Sequence, residues 1–217
     1  MTVTILLADD HPFIRRGLRT LLETEPTFSV VGEAQDGLQA VQLAESLQPS
    51  ILIVDLMMPN LNGLEVLRQV NHRAPKTRTI VLSMQSAEPY VMEAFHAGAI
   101  GYILKDSAPE EVITAIHQAL VNEKYLSPKL RDPLIDVIAK PPENLKQEPY
   151  ETLTDREREV LQMAAEGKTA PEIARQLSIS HRTVELHRSR MMNKMGFHSQ
   201  SELVRYAIKR GILPIDE

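Results

Sequence analysis

Apolar runs and helical patterns alternate along the first 121 residues. Runs of four to six residues that consist mainly of Val, Ile and Leu are typical of strands buried on both faces of a parallel sheet. Each strand is followed by a segment with the periodicity of an amphipathic helix. Five such pairs predict an α/β domain with a doubly wound parallel sheet. Four of the strand segments are such apolar runs, VTILLA, ILIV, TIVL and GYIL, and the remaining strand, the second along the chain, is FSVVGEA. The helical segments are residues 13–24, 37–47, 63–72, 88–97 and 109–121.

Four more helices are predicted between residues 155 and 210. Hydroxyl side chains that can cap backbone N–H groups mark their starts, and glycine marks three of their ends. The turn LSIS joins the second helix to the third, so the pair forms a helix-turn-helix whose third helix faces outward. The predicted helices are 155–166, 170–177, 181–195 and 200–210. Three capping boxes are predicted, Thr154 with Glu157, Thr169 with Glu172 and Ser199 with Glu202, and Ser180 is a fourth N-cap. The glycines at the helix ends are Gly167, Gly196 and Gly211.

Proline separates the two patterns. Five of the fourteen prolines of the chain lie between residues 127 and 149, a density typical of a semi-rigid linker. Within this stretch, residues 134–138 are apolar enough for one or two helical turns. We therefore predict an N-terminal domain at residues 1–121, a proline-rich linker at 122–149 and a C-terminal domain at 150–217.

Composition narrows the class of protein. The 217 residues include no cysteine, which excludes a disulfide framework and a thiolate zinc site. No apolar stretch approaches the roughly 18 residues of a membrane span, and no basic leader precedes the first strand. We expect a soluble cytoplasmic protein without membrane contact.

The net charge of −5 hides an asymmetry. Residues 1–126 hold nine lysines and arginines against fifteen acidic residues, whereas residues 175–210 hold eight against two. This split indicates an acidic module joined to one that meets an anion such as nucleic acid, although ordinary surface charge would also produce it.

Residues able to handle a phosphoryl group come directly after four of the predicted strands. In the flavodoxin-like order 2-1-3-4-5, ligands bind at the carboxyl ends of the strands, beside the first and third. Carboxylates there suit Mg²⁺, which prefers oxygen ligands, while a lysine and a hydroxyl suit phosphoryl oxygens. Taken singly, each residue is also explained as a turn, a cap or a surface position. The set consists of Asp9, Asp10, Asp55, Ser83 and Lys105.

These positions lie in segments that resemble the receiver domain of bacterial two-component response regulators: LLADDHPFIRRGL, VDLMMPNLNGLEVL, VLSMQ and AGAIGYILKD. The resemblance implies that Asp55 is the phosphoacceptor, and that Asp10, Asp55 and the Met57 carbonyl bind Mg²⁺ with help from Asp9. It also implies that Ser83 and Tyr102 reorient on phosphorylation and that Lys105 contacts the phosphate. Many receivers have proline after this lysine; here Asp106 stands instead, which leaves the cis or trans state of the bond open.

The helix at 181–195 has two faces. Val184, His187, Met191 and Met195 recur at helical spacing and should face the core. An outward face bordered by cations suits the DNA major groove, though a solvated charged face is the simpler alternative for an arbitrary helix. The predicted DNA contacts are Arg182, Thr183, Glu185, Leu186, Arg188, Ser189, Arg190 and Lys194, with Lys168 and Thr169 before the preceding helix.

Residues 153–211 resemble the LuxR-type helix-turn-helix over its whole length, which together with the receiver indicates the NarL/FixJ response regulators. Many members carry Thr-Val-Lys where this chain has Thr183-Val184-Glu185. Glu185 would either accept from a cytosine or position Arg182 or Arg188. His187 would be a core residue or a phosphate contact. The helix at 200–210 would pair two DNA-binding domains or pack within its own.

The resulting prediction is a DNA-binding transcriptional regulator, not an enzyme, that is switched by Mg²⁺-dependent phosphorylation of Asp55 from a sensor histidine kinase and dimerises when phosphorylated. An aspartyl-phosphate phosphatase would need a second aspartate two residues after the nucleophile, where Met57 stands. The remaining alternative is a phospho-dependent protein adaptor that does not meet DNA.

Overall fold

The computed structural model describes residues 2–130 and 149–213. The chain divides into two compact units, Met1–Pro142 and Glu143–Glu217. Most of the predicted linker, including the apolar residues 134–138, lies outside the described residues. The domain boundaries at 121 and 149 stay predictions.

The first unit is a parallel sheet with helices on both faces, as predicted. Its strands are β1 Val3–Ala8, β2 Phe28–Ala34, β3 Ile51–Val54, β4 Arg78–Ser83, β5 Gly101–Leu104 and β6 Tyr125–Leu126. The helices between them are α1 Pro12–Leu22, α2 Gly37–Leu47, α3 Gly63–Arg73, α4 Glu88–His96 and α5 Pro109–Leu120.

The sheet order is β2-β1-β3-β4-β5-β6. The predicted order 2-1-3-4-5 is therefore confirmed, with one addition that the sequence pattern did not indicate. Strand β6 pairs in parallel with β5, opposite Gly101 and Tyr102, inside the segment that we predicted to be linker. Its two residues are too few for the period of a strand to be read.

Strand residues alternate between two apolar layers because successive side chains point to opposite faces of a sheet. Leu6, Leu52 and Val81 pack on one face with residues of α2, α3 and α4. Ile5 and Ile53 pack on the other with residues of α1 and α5. This burial on both faces explains why β1, β3, β4 and β5 read as continuous apolar runs, whereas the partly exposed β2 does not.

Register decides which side chains meet at the carboxyl edge of the sheet. Ala8 pairs with Val54, so the next residues, Asp9 and Asp55, leave adjacent strands at the same level. The Asp55 N–H donates to the Ala8 carbonyl at 2.8 Å. On the other side, Lys105 comes directly after β5, and its N–H donates to the Ser83 carbonyl at 2.9 Å.

Hydrogen bonds hold the segment around β6 to the sheet. The Ser127 N–H donates to the Tyr102 carbonyl at 3.0 Å, and the Leu104 N–H donates to the Ser127 hydroxyl at 3.2 Å. That hydroxyl in turn donates to the Glu111 carboxylate at 2.8 Å and lies 3.0 Å from the Ser107 hydroxyl. The chain therefore stays attached to β5 and to the start of α5 beyond residue 121.

The second unit begins with a 3-10 turn, Pro149–Thr152, which leads into helices α6 Asp155–Ala165, α7 Ala170–Leu177, α8 His181–Met195 and α9 Gln200–Lys209. All four predicted helices are present, two of them ending one residue earlier than predicted. Gly167, Gly196 and Gly211 have φ of 83°, 67° and 70°, the left-handed conformation expected at these stops.

The predicted caps are formed, with one difference. The carboxylates of Glu157 and Glu172 accept from the N–H groups of Thr154 and Thr169, and Ser180 caps α8 through the Thr183 N–H. At the start of α9 the Ser199 hydroxyl accepts from the Glu202 N–H, but the Glu202 carboxylate accepts from the His198 N–H rather than from Ser199. The predicted capping box there is wrong by one residue, and the backbone differs from that of the two boxes that form: φ is −147° at Ser199, against −73° at Thr154 and −76° at Thr169.

Gly63 offers a test of how tightly the chain packs against the backbone of Asp55 and Leu56. A Cβ at this position would clash with the Asp55 carbonyl oxygen and lie 2.8 Å from the Leu56 Cα, both of them backbone atoms that cannot yield. We expect Gly63→Ala to lower the free energy of unfolding by about 2–3 kcal/mol, measured by urea denaturation.

Gly17→Ala is the matched control. This exposed glycine lies inside α1, and an added Cβ meets no atom within 4 Å. The alanine should stabilise the helix by about 1 kcal/mol. Equal effects of the two substitutions would contradict the close approach at Gly63.

Candidate functional site

Two buried carboxylates and one lysine meet at the carboxyl edge of the sheet. Asp9 and Asp55, directly after β1 and β3, are 2% and 3% exposed. The Lys105 Nζ lies 2.7 Å from an oxygen of each carboxylate. The Coulomb attraction within ion pairs of this length is larger away from water than at the surface, and the cost of removing the charges from water opposes it. The structure thus brings together three of the residues predicted from the strand ends.

Burial and mutual charge shift the pKa values of Asp55 and Lys105. Burial raises the pKa of the Asp55 carboxyl, and the hydrogen bond and positive charge of Lys105 offset only part of that rise. Burial alone would lower the pKa of Lys105, but hydrogen bonds and charge from Asp55 and Asp9 outweigh it and raise the pKa above its ordinary value. Lys105 therefore stays charged wherever the carboxylates are ionised.

Asp10 and His11 complete a group of four potential metal ligands. One ligand atom of each of Asp9, Asp10, His11 and Asp55 lies within 4.8 Å of the others. The His11 Nδ1 is 2.7 Å from an Asp10 oxygen and 3.2 Å from an Asp9 oxygen, and the His11 N–H donates to Asp9 at 2.8 Å. Our sequence reasoning missed His11. Its position in the run Asp-Asp-His, directly before α1, is the signal that could have indicated it.

Ser83 and Tyr102 lie close to this cluster, linked by one short backbone segment. Ser83 is buried, and its hydroxyl accepts from the Gln85 N–H at 3.2 Å. The fully buried Tyr102 donates its hydroxyl to the Gln85 carbonyl at 2.7 Å. Burial raises the pKa of the Tyr102 hydroxyl, so it remains a donor at neutral pH.

Two further predictions concern backbone atoms. The Met57 N–H donates to the Asp55 carboxylate, which orients that side chain, while the Met57 carbonyl as a metal ligand stays a prediction. All peptide bonds of the described residues are trans, so Lys105–Asp106 is a trans bond. Asp106 points to solvent and pairs with Lys129 at 2.6 Å.

Helix α8 presents the outward face that its sequence predicts. Val184, Met191 and Met195 are buried in the unit, and His187 is half-buried. Leu186, on the same helix, is 48% exposed. Five of the predicted contacts are exposed on α8 with it: Arg182, Glu185, Ser189, Arg190 and Lys194.

The cations of this face differ in their partners. Arg182 and Arg190 make no ion pair or hydrogen bond with other described residues through their side chains. Lys194, in contrast, donates to the Glu157 carboxylate at 2.6 Å and to the Thr152 carbonyl at 2.9 Å, and Lys168 pairs with Glu166 at 2.6 Å. The last turn of α8 is thereby fixed to the start of α6.

Glu185 has a different neighbour from the two that the sequence suggested. Its carboxylate lies 3.7 Å from the His181 Nε2, one turn earlier on α8. Among the described residues it forms no ion pair with Arg182 or Arg188. Positioning of an arginine by Glu185 is therefore not what this structure shows, and its base contact stays a prediction.

Known proteins match both units. Residues 5–117 match the family described as "Response regulator receiver domain", and residues 151–207 match "Bacterial regulatory proteins, luxR family". The chain is 40% identical over 199 residues, 92% of each protein, to the nitrate/nitrite response regulator protein NarL of Escherichia coli K12.

Solved structures of response regulators also match this chain. A LuxR-family two-component response regulator from Aurantimonas sp. SI85-9A1 matches 64% of this chain and all of its own, with a TM-score of 0.60 and 33% identity. The structure of two RcsB dimers bound to two parallel DNAs matches 95% of this chain and 98% of its own, with a TM-score of 0.58 and 26% identity. Within residues 2–130 and 149–213, no helix combines the length and hydropathy needed to cross a bilayer.

The different partners of Lys194 and Arg190 lead to a test on one helix. Lys194→Met leaves the Glu157 carboxylate, 3% exposed, without its cation. We expect the free energy of unfolding of this unit to fall by about 1–2 kcal/mol. This loss is smaller than that for a fully buried ion pair, because Lys194 is partly exposed. Calorimetry of the full chain measures the change.

Arg190→Met is the control for that substitution. It removes an exposed cation from the same helix without breaking an ion pair between described residues, so stability should stay within about 0.5 kcal/mol of wild type. Equal stability of the two variants would show that the Lys194–Glu157 pair contributes nothing.

Proposed function

Because the chain belongs to the response regulators that join a receiver domain to a LuxR-type DNA-binding domain, we propose that phosphorylation of Asp55 controls its binding to DNA. The observation that carries the proposal is the buried contact of Lys105 with both Asp55 and Asp9. This contact supports a role of Asp55 as nucleophile, because a cation that can receive the phosphoryl oxygens lies beside its carboxylate.

The donor set fits Mg²⁺. Three carboxylates, from Asp9, Asp10 and Asp55, converge within reach of one ion, and oxygen ligands are the ones that Mg²⁺ prefers. With the predicted Met57 carbonyl they would hold the ion. When bound, the ion neutralises charge between the carboxylate and the incoming phosphoryl group. His11 supplies nitrogen, a poorer ligand for Mg²⁺, and is better suited to orienting Asp10 and Asp9.

In the proposed reaction a carboxylate oxygen of Asp55 forms a bond to phosphorus, and the bond between phosphorus and the donor breaks, so that the electron pair leaves with the donor. We propose that the donor is a phosphohistidine of a sensor kinase. Lys105 then exchanges its contact with the carboxylate for one with the phosphoryl oxygens, and Ser83 donates its hydroxyl to another.

Tyr102 and Ser83 connect this event to the surface. Both hydrogen-bond to Gln85, on the segment between β4 and α4. If Ser83 turns toward the phosphoryl group, it gives up the Gln85 N–H, and the segment that also receives the Tyr102 hydroxyl is released. The receiver is thus proposed as a two-state element that phosphate biases.

The proposed output is binding of α8 in the major groove. Arg182 and Arg190 extend to solvent beside Glu185, Leu186 and Ser189, which suits phosphate contacts around a central strip of base contacts. The RcsB structure holds dimers on DNA, and we propose a phosphorylated homodimer here. Such a protein acts where the chromosome is, in the cytoplasm. These outward cations argue against the alternative, a protein adaptor without DNA output.

The phosphoacceptor assignment is tested by Asp55→Asn, which keeps the shape of the side chain and removes the nucleophile. Incubation with labelled acetyl phosphate and Mg²⁺ should label the wild type and leave the variant at background. Asp106→Asn, an exposed aspartate next to Lys105, should retain full labelling. Undiminished label in the Asp55 variant would overturn the assignment.

The DNA contacts are tested by a pair of substitutions on α8. Arg188→Ala should weaken binding to specific and nonspecific DNA alike and lower the slope of log affinity against log salt by about one. Glu185→Ala should instead change base preference at one position, by about 1–3 kcal/mol. Capture of genomic fragments by each protein, repeated at several salt concentrations, measures the salt dependence of binding and the base preference. An unchanged base preference after the Glu185 substitution would remove its role in reading bases.

A further inference from the structure

The side chain of Gln200 bridges α6 and α8. Gln200 is the first residue of α9, and its Nε2 donates to the Ala164 carbonyl at 2.6 Å. Its Oε1 accepts from a guanidinium N–H of Arg188 at 2.9 Å. One amide thus connects the end of the first helix of the unit to the middle of the helix that we propose enters the major groove.

The chemistry of the two partners fixes the orientation of this amide. A backbone carbonyl only accepts hydrogen bonds, and a guanidinium only donates them. The Gln200 NH₂ must therefore face Ala164 and its oxygen must face Arg188. Rotating the amide by half a turn would lose both hydrogen bonds. Gln200 can therefore hold Arg188 in this one amide orientation only.

An uncharged hydrogen-bond acceptor suits an arginine that has to bind phosphate. Glu185, the acidic residue nearest in sequence to Arg188, contacts His181 instead. The guanidinium is therefore oriented by a dipole, keeps its full charge, and offers phosphate the N–H groups that Gln200 does not use. Ordering a long side chain before binding also removes part of the entropic cost of binding.

We infer that Gln200 is a positioning residue for DNA binding, which holds the Arg188 guanidinium in the direction of a backbone phosphate without contacting the DNA itself. The inference rests on the proposed function, because it takes Arg188 as a DNA contact. Loss of Gln200 should weaken binding by about two- to tenfold, the range expected for leaving one such side chain unordered.

A double-mutant cycle tests the inference with the full-length chain treated with acetyl phosphate and Mg²⁺. The probe is a genomic fragment captured by the wild type, and fluorescence anisotropy gives the dissociation constant for wild type, Arg188→Ala, Gln200→Ala and the double variant. Gln200→Ala should weaken binding in the wild-type background and have no further effect once Arg188 is absent. Ser201→Ala, at the next residue of α9, should bind as tightly as wild type.

The possible results separate the two proposals. If the wild type captures no fragment, or Arg188→Ala leaves binding unchanged, the proposed function of this helix fails. If Arg188→Ala weakens binding but Gln200→Ala does not, or weakens it equally in both backgrounds, the positioning role alone is overturned. An equal loss in both backgrounds would indicate a direct contact or a general structural effect of Gln200.

Gln200→Glu provides a second variant in case alanine disturbs the start of α9, where an acidic residue is well tolerated. A glutamate cannot donate to the Ala164 carbonyl, and its charge would hold the Arg188 guanidinium against transfer to phosphate. We expect a larger loss of affinity than with alanine. Affinity equal to or higher than that of wild type would overturn the inference.

Discussion

The structure of the receiver depends on the burial of two carboxylates at one edge of a sheet. Register brings Asp9 and Asp55 side by side, where like charges repel, and Lys105 lies between them at 2.7 Å from each. Burial nevertheless leaves the pKa of Asp55 raised. A carboxyl group whose pKa is higher in the folded state than in the unfolded state favours folding in acid, and this contribution is lost as the pH rises through the folded value. At neutral pH the ionised Asp55 carboxyl therefore costs stability, whereas the raised pKa of Lys105 means that its contacts with the carboxylates contribute stability at the same pH. A bound cation would offset part of the cost of burying Asp55 as a charge.

The second unit uses charge in a different way. It fixes some cations within the domain and leaves others exposed on the same helix. Burial would raise the pKa of Glu157, but the contacts with Lys194 and with the Thr154 N–H outweigh burial and lower it. The pair fastens the end of α8, while Arg182 and Arg190 extend outward. The helix that we propose enters the major groove therefore carries both kinds of cation, one held by its own domain and others exposed to solvent.

Sequence reasoning could identify the features that depend on period and position. The strand runs place Asp9, Asp55 and Lys105 at one edge because parallel strands end together, and the caps and glycines locate the helices of the second unit within a residue. It could not identify partners that depend on distances between elements. Lys194 and Arg190 look alike in the sequence, yet only the fold brings Glu157 to one of them. His11 was missed because a histidine beside two aspartates carries no periodic signal, and β6 because two residues cannot display one.

Strand β6 also determines how the sheet ends. Its pairing with Gly101 and Tyr102 makes β5 an interior strand, and the new edge is only two residues long. Long unprotected edges invite the addition of strands from other molecules, and very short ones resist it. A receiver fragment cut at residue 121 would expose the backbone of β5, including that of Tyr102, as an open edge. Such a fragment would be prone to self-association, so the residues up to Leu130 belong in any version of the receiver that is meant to stay monomeric when it is isolated.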